Sequence, residues 1–319
     1  MPDDRDVQGM AMIEVESLRK LFRGGRGLDG FSLHLESNEL VGLVGPNGAG
    51  KTTLIKILST LLPPNSGVAR VAGRDIRSDP RGVRASVGYL PDVAGVYQDM
   101  RIREFLEFFA DAFRLMEPNR SVAIERALTR SGLADRPDDF VEHLSLGWKQ
   151  RLLLAKTLLH DPKVLLLDEP ATGLDPLARI TLREQLKRLH SEGVAILISS
   201  HILSDLEDIC TRIVFIADGK NVAEAATGAA EGSTAPSIRC EVEFEGPADA
   251  VDPHLKDAPD VRVLEKRDRL FIIELPGGRA EASAFLQKLL AAGVLITHFD
   301  ARGLNLEDRY RRAFGGQTR

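Results

Sequence analysis

Residues 39–64 constrain this chain more than any other stretch. Glu39-Leu40-Val41-Gly42-Leu43-Val44 is a short apolar run of the kind that forms a buried strand. Gly45-Pro46-Asn47-Gly48-Ala49-Gly50-Lys51-Thr52 follows it and fits G-x-x-x-x-G-K-[ST]. A helical pattern then runs from Thr52 to Leu62 and is stopped by Pro63-Pro64. Strand, glycine-rich loop and helix in that order are the context of a phosphate-binding P-loop. The glycines let backbone N–H groups converge on phosphate oxygens without Cβ clashes, and the helix N-terminus adds its positive dipole. The candidate nucleotide-binding residues are therefore Gly45, Pro46, Asn47, Gly48, Ala49, Gly50, Lys51, Thr52 and Thr53. Lys51 is expected to neutralise the β- and γ-phosphates, and Thr52 to hold Mg²⁺.

A second apolar run, Val164-Leu165-Leu166-Leu167, ends in Asp168-Glu169. The apolar residues bury the strand and the two carboxylates emerge at its C-terminal end, where open α/β sheets bind ligands. Asp168 is suited to orient Mg²⁺ through water, and Glu169, one residue further, to polarise an attacking water.

Elsewhere, apolar strands alternate with helices, which implies a parallel sheet covered by helices. Residues 13–44 and 68–90 read as short strands and turns. Helices are expected over Ile102–Met116, Val122–Ser131 and from Pro176, behind the N-cap Asp175, to Glu192, with a buried strand over Val194–Ser199. The phenylalanine-rich stripe of the first of these reads as core. Composition changes after about Lys220, and Ala223 to Pro236 is rich in Ala, Gly, Ser and Thr, as a linker is. Beyond it, Ile238–Phe244, Val261–Glu265, Leu270–Leu275 and Val294–Phe299 read as strands, and Ala280–Ala292 as a helix. With a further short helix over Ala248–Lys256 the order would be βαββαβ, a small ferredoxin-like α+β sandwich.

Composition excludes several classes. The chain has 319 residues, enough for roughly two domains, and 43% of them are apolar, which rules out disorder as the dominant state. The net charge of -5 argues against a dedicated nucleic-acid binder. Two cysteines, Cys210 and Cys240, are too few for a disulfide scaffold or a structural zinc site and read as free thiols. The acidic start, Pro2-Asp3-Asp4-Arg5-Asp6, does not resemble a secretory signal. No apolar window approaches the about 18 residues that span a bilayer.

Read together, the motifs resemble the ATP-binding cassette (ABC) family, specifically the ATPase subunits of ABC-2-type exporters. Phe22 is similar to the aromatic that stacks on adenine, Gly45–Thr52 to the Walker A loop, and Tyr89-Leu90-Pro91-Asp92 to the Q-loop. Leu144-Ser145-Leu146-Gly147-Trp148-Lys149-Gln150-Arg151 falls at the signature, Val164–Glu169 at Walker B, Thr172-Gly173-Leu174-Asp175-Pro176 at the D-loop and Ser199-Ser200-His201 at the switch histidine. The resemblance implies a P-loop cassette with a mixed-sheet core over 12–225, a helical subdomain at about 93–160, a linker at 226–236 and a C-terminal accessory or dimerisation domain at 237–319. The tail, including Leu306-Glu307-Asp308-Arg309-Tyr310, resembles the extension of drug-exporter-type subunits, and its arginines read as a solvated helix face.

The resemblance also implies two cassettes, most simply two copies of this chain, paired head to tail around two ATP molecules. Ser145 and Gly147 of one copy would face the γ-phosphate held by Lys51 of the other. Lys51 and Mg²⁺ would absorb charge, Glu169 would activate water and His201 would contact the γ-phosphate. The partner would be an ABC-2-type permease, with the cassette peripheral on the cytoplasmic face of the inner membrane and no nucleic acid bound. The competing reading is a soluble non-transport ABC ATPase acting on ribosomes or DNA. A single cassette, the lack of coiled coils or zinc modules and the acidic balance disfavour it.

Two departures stand out. Asp92 replaces the usual glutamine and, as an oxygen ligand, is expected to keep a metal-sensing role. Leu146 and Trp148 replace a glycine and a polar residue of the signature, while Ser145 and Gly147 remain. Trp148 is expected to pack at the cassette interface rather than touch ligand. For the C-terminal domain, a dimerisation platform is favoured over a small-ligand sensor.

Overall fold

A computed structural model describes residues 11–93, 95–226, 237–245 and 261–303. Two units make up the chain, Met1–Gly228 and Ala229–Arg319. In the first, β1 (Ala11–Leu21) and β2 (Gly27–Glu36) form a hairpin, followed by β3 (Leu40–Val44) and α1 (Lys51–Leu58). Next come β4 (Ser66–Val71), β5 (Arg74–Asp75), α2 (Pro80–Ser86) and β6 (Val87–Leu90). Three helices, α3 (Ile102–Ala112), α4 (Asn119–Arg130) and α5 (Leu146–Leu158), pack on one another. The unit then runs through β7 (Val164–Asp168), α6 (Pro176–Ser191), β8 (Ala195–Ser200), β9 (Arg212–Ala217) and β10 (Lys220–Ala226).

Two sheets result. One is antiparallel with the order β2-β1-β4-β5. The other has the order β10-β9-β3-β8-β7-β6, parallel except for β10 at its edge. Every residue of β3, β7 and β8 is buried, which is why these segments carry unbroken apolar runs rather than alternation. Helix α1 touches β2, β4 and β7, and its Leu54, Ile55 and Leu58 share one core with Ile13 and Phe31 of the first sheet and Leu166 and Leu197 of the second.

The parallel register decides where the chemistry lies. Val44 is level with Ser200, Asp168 with Ser199, and Leu90 with Leu167. The loop after β3, the carboxylates ending β7, the residues ending β8 and the segment after β6 therefore emerge along one edge of the sheet, as ligand-binding parallel sheets arrange them.

The mixed α/β core agrees with expectation, and several elements differ in detail. Helix α2 was expected as strand and turn, yet Asp79 caps it by accepting from the Gly82 amide, with Pro80 at the first position. Helix α3 stops at Ala112, where the chain turns through Arg114 with φ 60°. The stripe is consequently core only in part: Ile102, Phe105 and Leu106 are buried, but Phe113 and Met116 lie beyond the helix and are exposed. The stretch expected to begin the linker at Ala223 continues as β10, whose antiparallel pairing with β9 reaches Ala226 opposite Arg212.

The second unit holds β11 (Ser237–Glu245), β12 (Arg262–Arg267), β13 (Leu270–Pro276), α7 (Arg279–Ala291) and β14 (Leu295–Gly303). Its strands are antiparallel in the order β12-β13-β11-β14, the order of a ferredoxin-like sandwich. Ile238, Cys240, Val242 and Phe244 alternate inward onto Phe285 and Leu289 of α7. The helix expected over 248–256 and residues 306–310 lie outside the described residues. Both cysteines are buried and neither is in a disulfide. No helix among the described residues is long and apolar enough to cross a membrane.

Candidate functional site

At the sheet edge lies a cleft of about 410 Å³ lined by Phe22, Arg26, Gly27, Asn47, Gly48, Gly50, Lys51, Thr52, Thr53, Asp92, Glu169, Thr172 and His201. Its floor is the start of α1. Gly50 caps that helix in the left-handed region at φ 114°, and no side chain caps the free amides. Bare amides at a helix N-terminus, with the dipole behind them, are an anion site. Gly45 must be glycine for a different reason: a Cβ there would come within 2.1 Å of the Ile216 carbonyl oxygen. Lys51 is buried, and its ammonium donates to the carbonyls of Gly45 at 2.7 Å and Pro46 at 3.3 Å.

The carboxylates are wired into this floor. Lys51 Nζ lies 3.3 Å from Glu169 Oε1, and His201 Nδ1 lies 2.7 Å from Glu169 Oε2. The carboxylate accepts, so the Nδ1–H tautomer is the one that makes this bond. Glu169 is held with φ 49°, an uncommon conformation for a residue with a side chain, at the sharp exit from β7. Ser199 supports it: its buried hydroxyl accepts from the Glu169 amide at 3.0 Å and donates to Asp168 Oδ1 at 2.9 Å. The same Oδ1 accepts from Thr52 Oγ1 at 3.1 Å.

Electrostatics follow from the burial. Asp168 titrates above the ordinary carboxylate value, chiefly because it is desolvated, while the Ser199 and Thr52 hydrogen bonds oppose the rise and the charges of Asp92 and Glu169 add to it. The Tyr89 phenol is pushed up to about 12 by burial and by Asp168 and Asp92, so it stays protonated. Asp92 thus stands close enough to the end of β7 for its charge to be felt there.

Among the described residues there is no cluster of three or more His, Cys, Asp or Glu able to hold a metal alone. Mg²⁺ characteristically takes one or two carboxylates and completes its shell with waters and substrate phosphates. The Thr52 hydroxyl and Asp168 carboxylate, beside a phosphate floor, fit that pattern.

Ser145 and Gly147 lie elsewhere. They sit at the N-terminus of α5, where Ser145 is exposed and makes no side-chain cap. Leu146 packs towards Gly173, and a Cβ on Gly147 would meet the Ala178 side chain at 2.9 Å. Trp148 packs within its own chain against two guanidiniums, Arg151 at 4.2 Å and Arg136 at 4.5 Å from the ring centre.

Three residues of the cleft lining, Arg26, Gly27 and Thr172, are given no site role by the sequence reading, nor is the buried Ser199 that bridges Asp168 and the Glu169 amide beneath it. A further feature is structural. The Gly219 amide donates to the Ala49 carbonyl at 3.0 Å, and the Asp29 amide donates to the Gly219 carbonyl at 2.9 Å. The turn after β9 thereby ties the glycine-rich loop to the hairpin that carries Phe22.

Comparison with known proteins agrees with this geometry. Residues 28–172 match the ABC transporter family model. The Nod factor export ATP-binding protein I of Paraburkholderia xenovorans (strain LB400) is 37% identical over 238 residues, 74% of this chain and 77% of that protein. An uncharacterized ABC transporter ATP-binding protein of Bacillus subtilis (strain 168), YxlF, is 32% identical over 300 residues, 94% of this chain and 98% of its own. Among solved structures, an ATP-binding subunit of an ABC transporter superposes with a TM-score of 0.60 at 30% identity, over 67% of this chain and 90% of that one. The match to that family model, and relatives at such identity and coverage, mean that the chain belongs to the ABC transporter ATP-binding proteins, a family of ATPases.

Proposed function

We propose that this chain is the ATP-binding and hydrolysing subunit of an ABC-2-type exporter, driving a separate membrane permease through closure of a cassette pair. The observation that carries the reading is the linked series Lys51–Glu169–His201 in the cleft, set beside the series Thr52–Asp168–Ser199, whose last two members are buried beneath it. The export assignment draws on the Nod factor export relatives.

In this reading the adenine rests on Phe22 and the phosphates on the amides that follow Gly48. Lys51 leaves its carbonyl and carboxylate partners for the β- and γ-phosphates. Glu169 takes a proton from the water whose oxygen attacks the γ-phosphorus, as the bond to the β-phosphate oxygen breaks and ADP leaves. His201 holds the Glu169 carboxylate and borders the γ-phosphate. Thr52, Asp168 and, from the loop after β6, Asp92 would hold Mg²⁺, which when bound neutralises phosphate charge.

Ser145 and Gly147 do not line the cleft of their own chain, which favours a head-to-tail homodimer whose second copy supplies them. For the permease, the surface following Asp92 is apolar and exposed: Tyr97 meets Phe108 edge-on at 5.3 Å, and Val93 and Met116 stand in solvent. Exposed apolar side chains of this kind suit docking against a membrane protein. The assembly would sit on the cytoplasmic face of the inner membrane. We assign residues 12–225 to the cassette and 237–319 to a dimerisation platform, and deleting 232–319 is expected to weaken pairing.

The test is a pull-down from detergent-solubilised membranes of the native host, with Glu169→Gln as bait and ATP present. A stoichiometric multi-helix membrane protein is the expected prey. Recovery of ribosomes or another soluble assembly, with no membrane protein, would sink the proposal.

A further inference from the structure

The tip of the β1–β2 hairpin carries an arginine that the catalytic reading does not use. Arg26 lines the cleft together with Phe22 and Gly27. The Phe22 amide donates to the Arg26 carbonyl at 2.9 Å, so the two residues face each other across the turn. Gly27, the next residue, is seated against the glycine-rich loop: a Cβ on Gly50 would lie 3.0 Å from the Gly27 carbonyl oxygen. Gly27 itself has φ 134° and no room for a side chain, since a Cβ would meet the Lys20 carbonyl oxygen at 2.0 Å. The backbone at Arg26 is thus fixed between the aromatic platform and the first turn of α1.

Its charge is uncommitted. Guanidiniums in this unit are widely paired with carboxylates: Arg19 with Asp29, Arg130 with Asp161 and Glu192, and Arg212 with Glu39 and Glu224. Among the described residues Arg26 has no carboxylate partner, although it is exposed on the wall of a cleft built for polyphosphate. Guanidinium is the side-chain group best matched to phosphate oxygens.

We infer that Arg26 is a nucleotide-binding residue, its guanidinium meeting the α-phosphate and ribose of the bound nucleotide between the base on Phe22 and the terminal phosphates over Lys51. This rests on the nucleotide reading of the cleft. The contact involves a part of the nucleotide common to ATP and ADP, so it strengthens both equally and leaves the chemical step alone.

Titration calorimetry of the full chain with ADP and with ATP tests it, using wild type, Arg26→Gln, Arg26→Lys and, as comparator, Lys51→Ala. Arg26→Gln is expected to weaken both nucleotides by about tenfold, the scale of one charge-assisted hydrogen bond, and Arg26→Lys by less. The wild-type affinity should also fall more steeply with salt than that of Arg26→Gln. If Arg26→Gln binds ADP within about twofold of wild type while Lys51→Ala loses it, Arg26 has no such role and the cleft reading stands. A loss confined to ATP would place the contact at the γ-phosphate and overturn the proposal. Failure of the wild-type chain to bind either nucleotide would overturn the cleft reading and this inference together.

Discussion

His201 reaches Glu169 across 32 residues of sequence, Nδ1 to Oε2 at 2.7 Å, while the other oxygen of the same carboxylate lies 3.3 Å from Lys51. In the proposed mechanism Lys51 moves to the phosphates, and the His201 bond is left to orient the carboxylate, as a base aimed at one water requires. Glu169→Gln keeps the shape and removes the basicity. Turnover is expected to fall by about 10²–10⁴-fold, the range for a lost general base. ATP binding should survive, and a dimer that persists in ATP should appear on size exclusion.

Ser199→Ala probes the support beneath that base. One buried hydroxyl serves both the Glu169 amide and Asp168, so its removal strands an amide and costs about 1–3 kcal/mol. Turnover should drop more than nucleotide affinity does, because Glu169 and Asp168, the proposed base and metal-side carboxylate, lose their common anchor. Paired measurements of kcat and of the ADP dissociation constant will separate the two effects.

Asp168 sets a trade between stability and function. Burial raises its pKa above the ordinary 3.8, so the folded chain binds this proton more tightly than the unfolded chain. The stability contributed by the group is therefore greatest at low pH, falls as pH rises from the unfolded value to the raised folded one, and stays low above it. Asp168→Asn resembles the protonated form and retains Oδ1, which accepts from both Thr52 and Ser199. Without nucleotide at neutral pH its Tm should exceed that of wild type, by about 2–4 °C per kcal/mol gained. ATPase activity should be lost. A Tm below wild type at neutral pH would contradict the desolvation argument.

Trp148 is the only tryptophan, so its emission reports on the signature segment alone. Two guanidiniums lie against the ring, and Arg151 titrates below the usual arginine value through burial and through repulsion by Arg136. Arg151→Ala should open the ring to water and shift its emission to the red. In the Glu169→Gln background, ATP should alter the same emission as the second copy closes over α5.

The phosphate loop is legible in the sequence because its chemistry is local: eight consecutive residues carry the backbone freedom, the helix start and the cation. Asp168 and Glu169 are legible for the same reason, at the end of an unbroken apolar strand. Ser199 is not, since one hydroxyl closing an apolar strand looks like tolerated core until the register sets it beside Asp168. Arg26 sits in a turn whose glycines read only as punctuation. Helix α2 carried the same Asp-Pro start that marks α6, but it is a single short piece with Val83 as its one buried residue, too little for a periodic pattern. The overextension of α3 has the opposite cause, because Phe113 and Met116 keep the helical spacing after the backbone has left the helix.

Gly219 lies far down the chain from the residues it serves. A side chain there would drive into the Gly27 carbonyl at 2.3 Å and the Asp29 amide at 2.8 Å. The hairpin bearing Phe22, the proposed base platform, and the loop bearing the phosphate floor come from separate stretches of sequence, and this one turn yokes them. The spacing between the two ends of the nucleotide is therefore gauged by a residue absent from the cleft lining, and a bulkier residue at 219 would blunt affinity while leaving every contacting group intact.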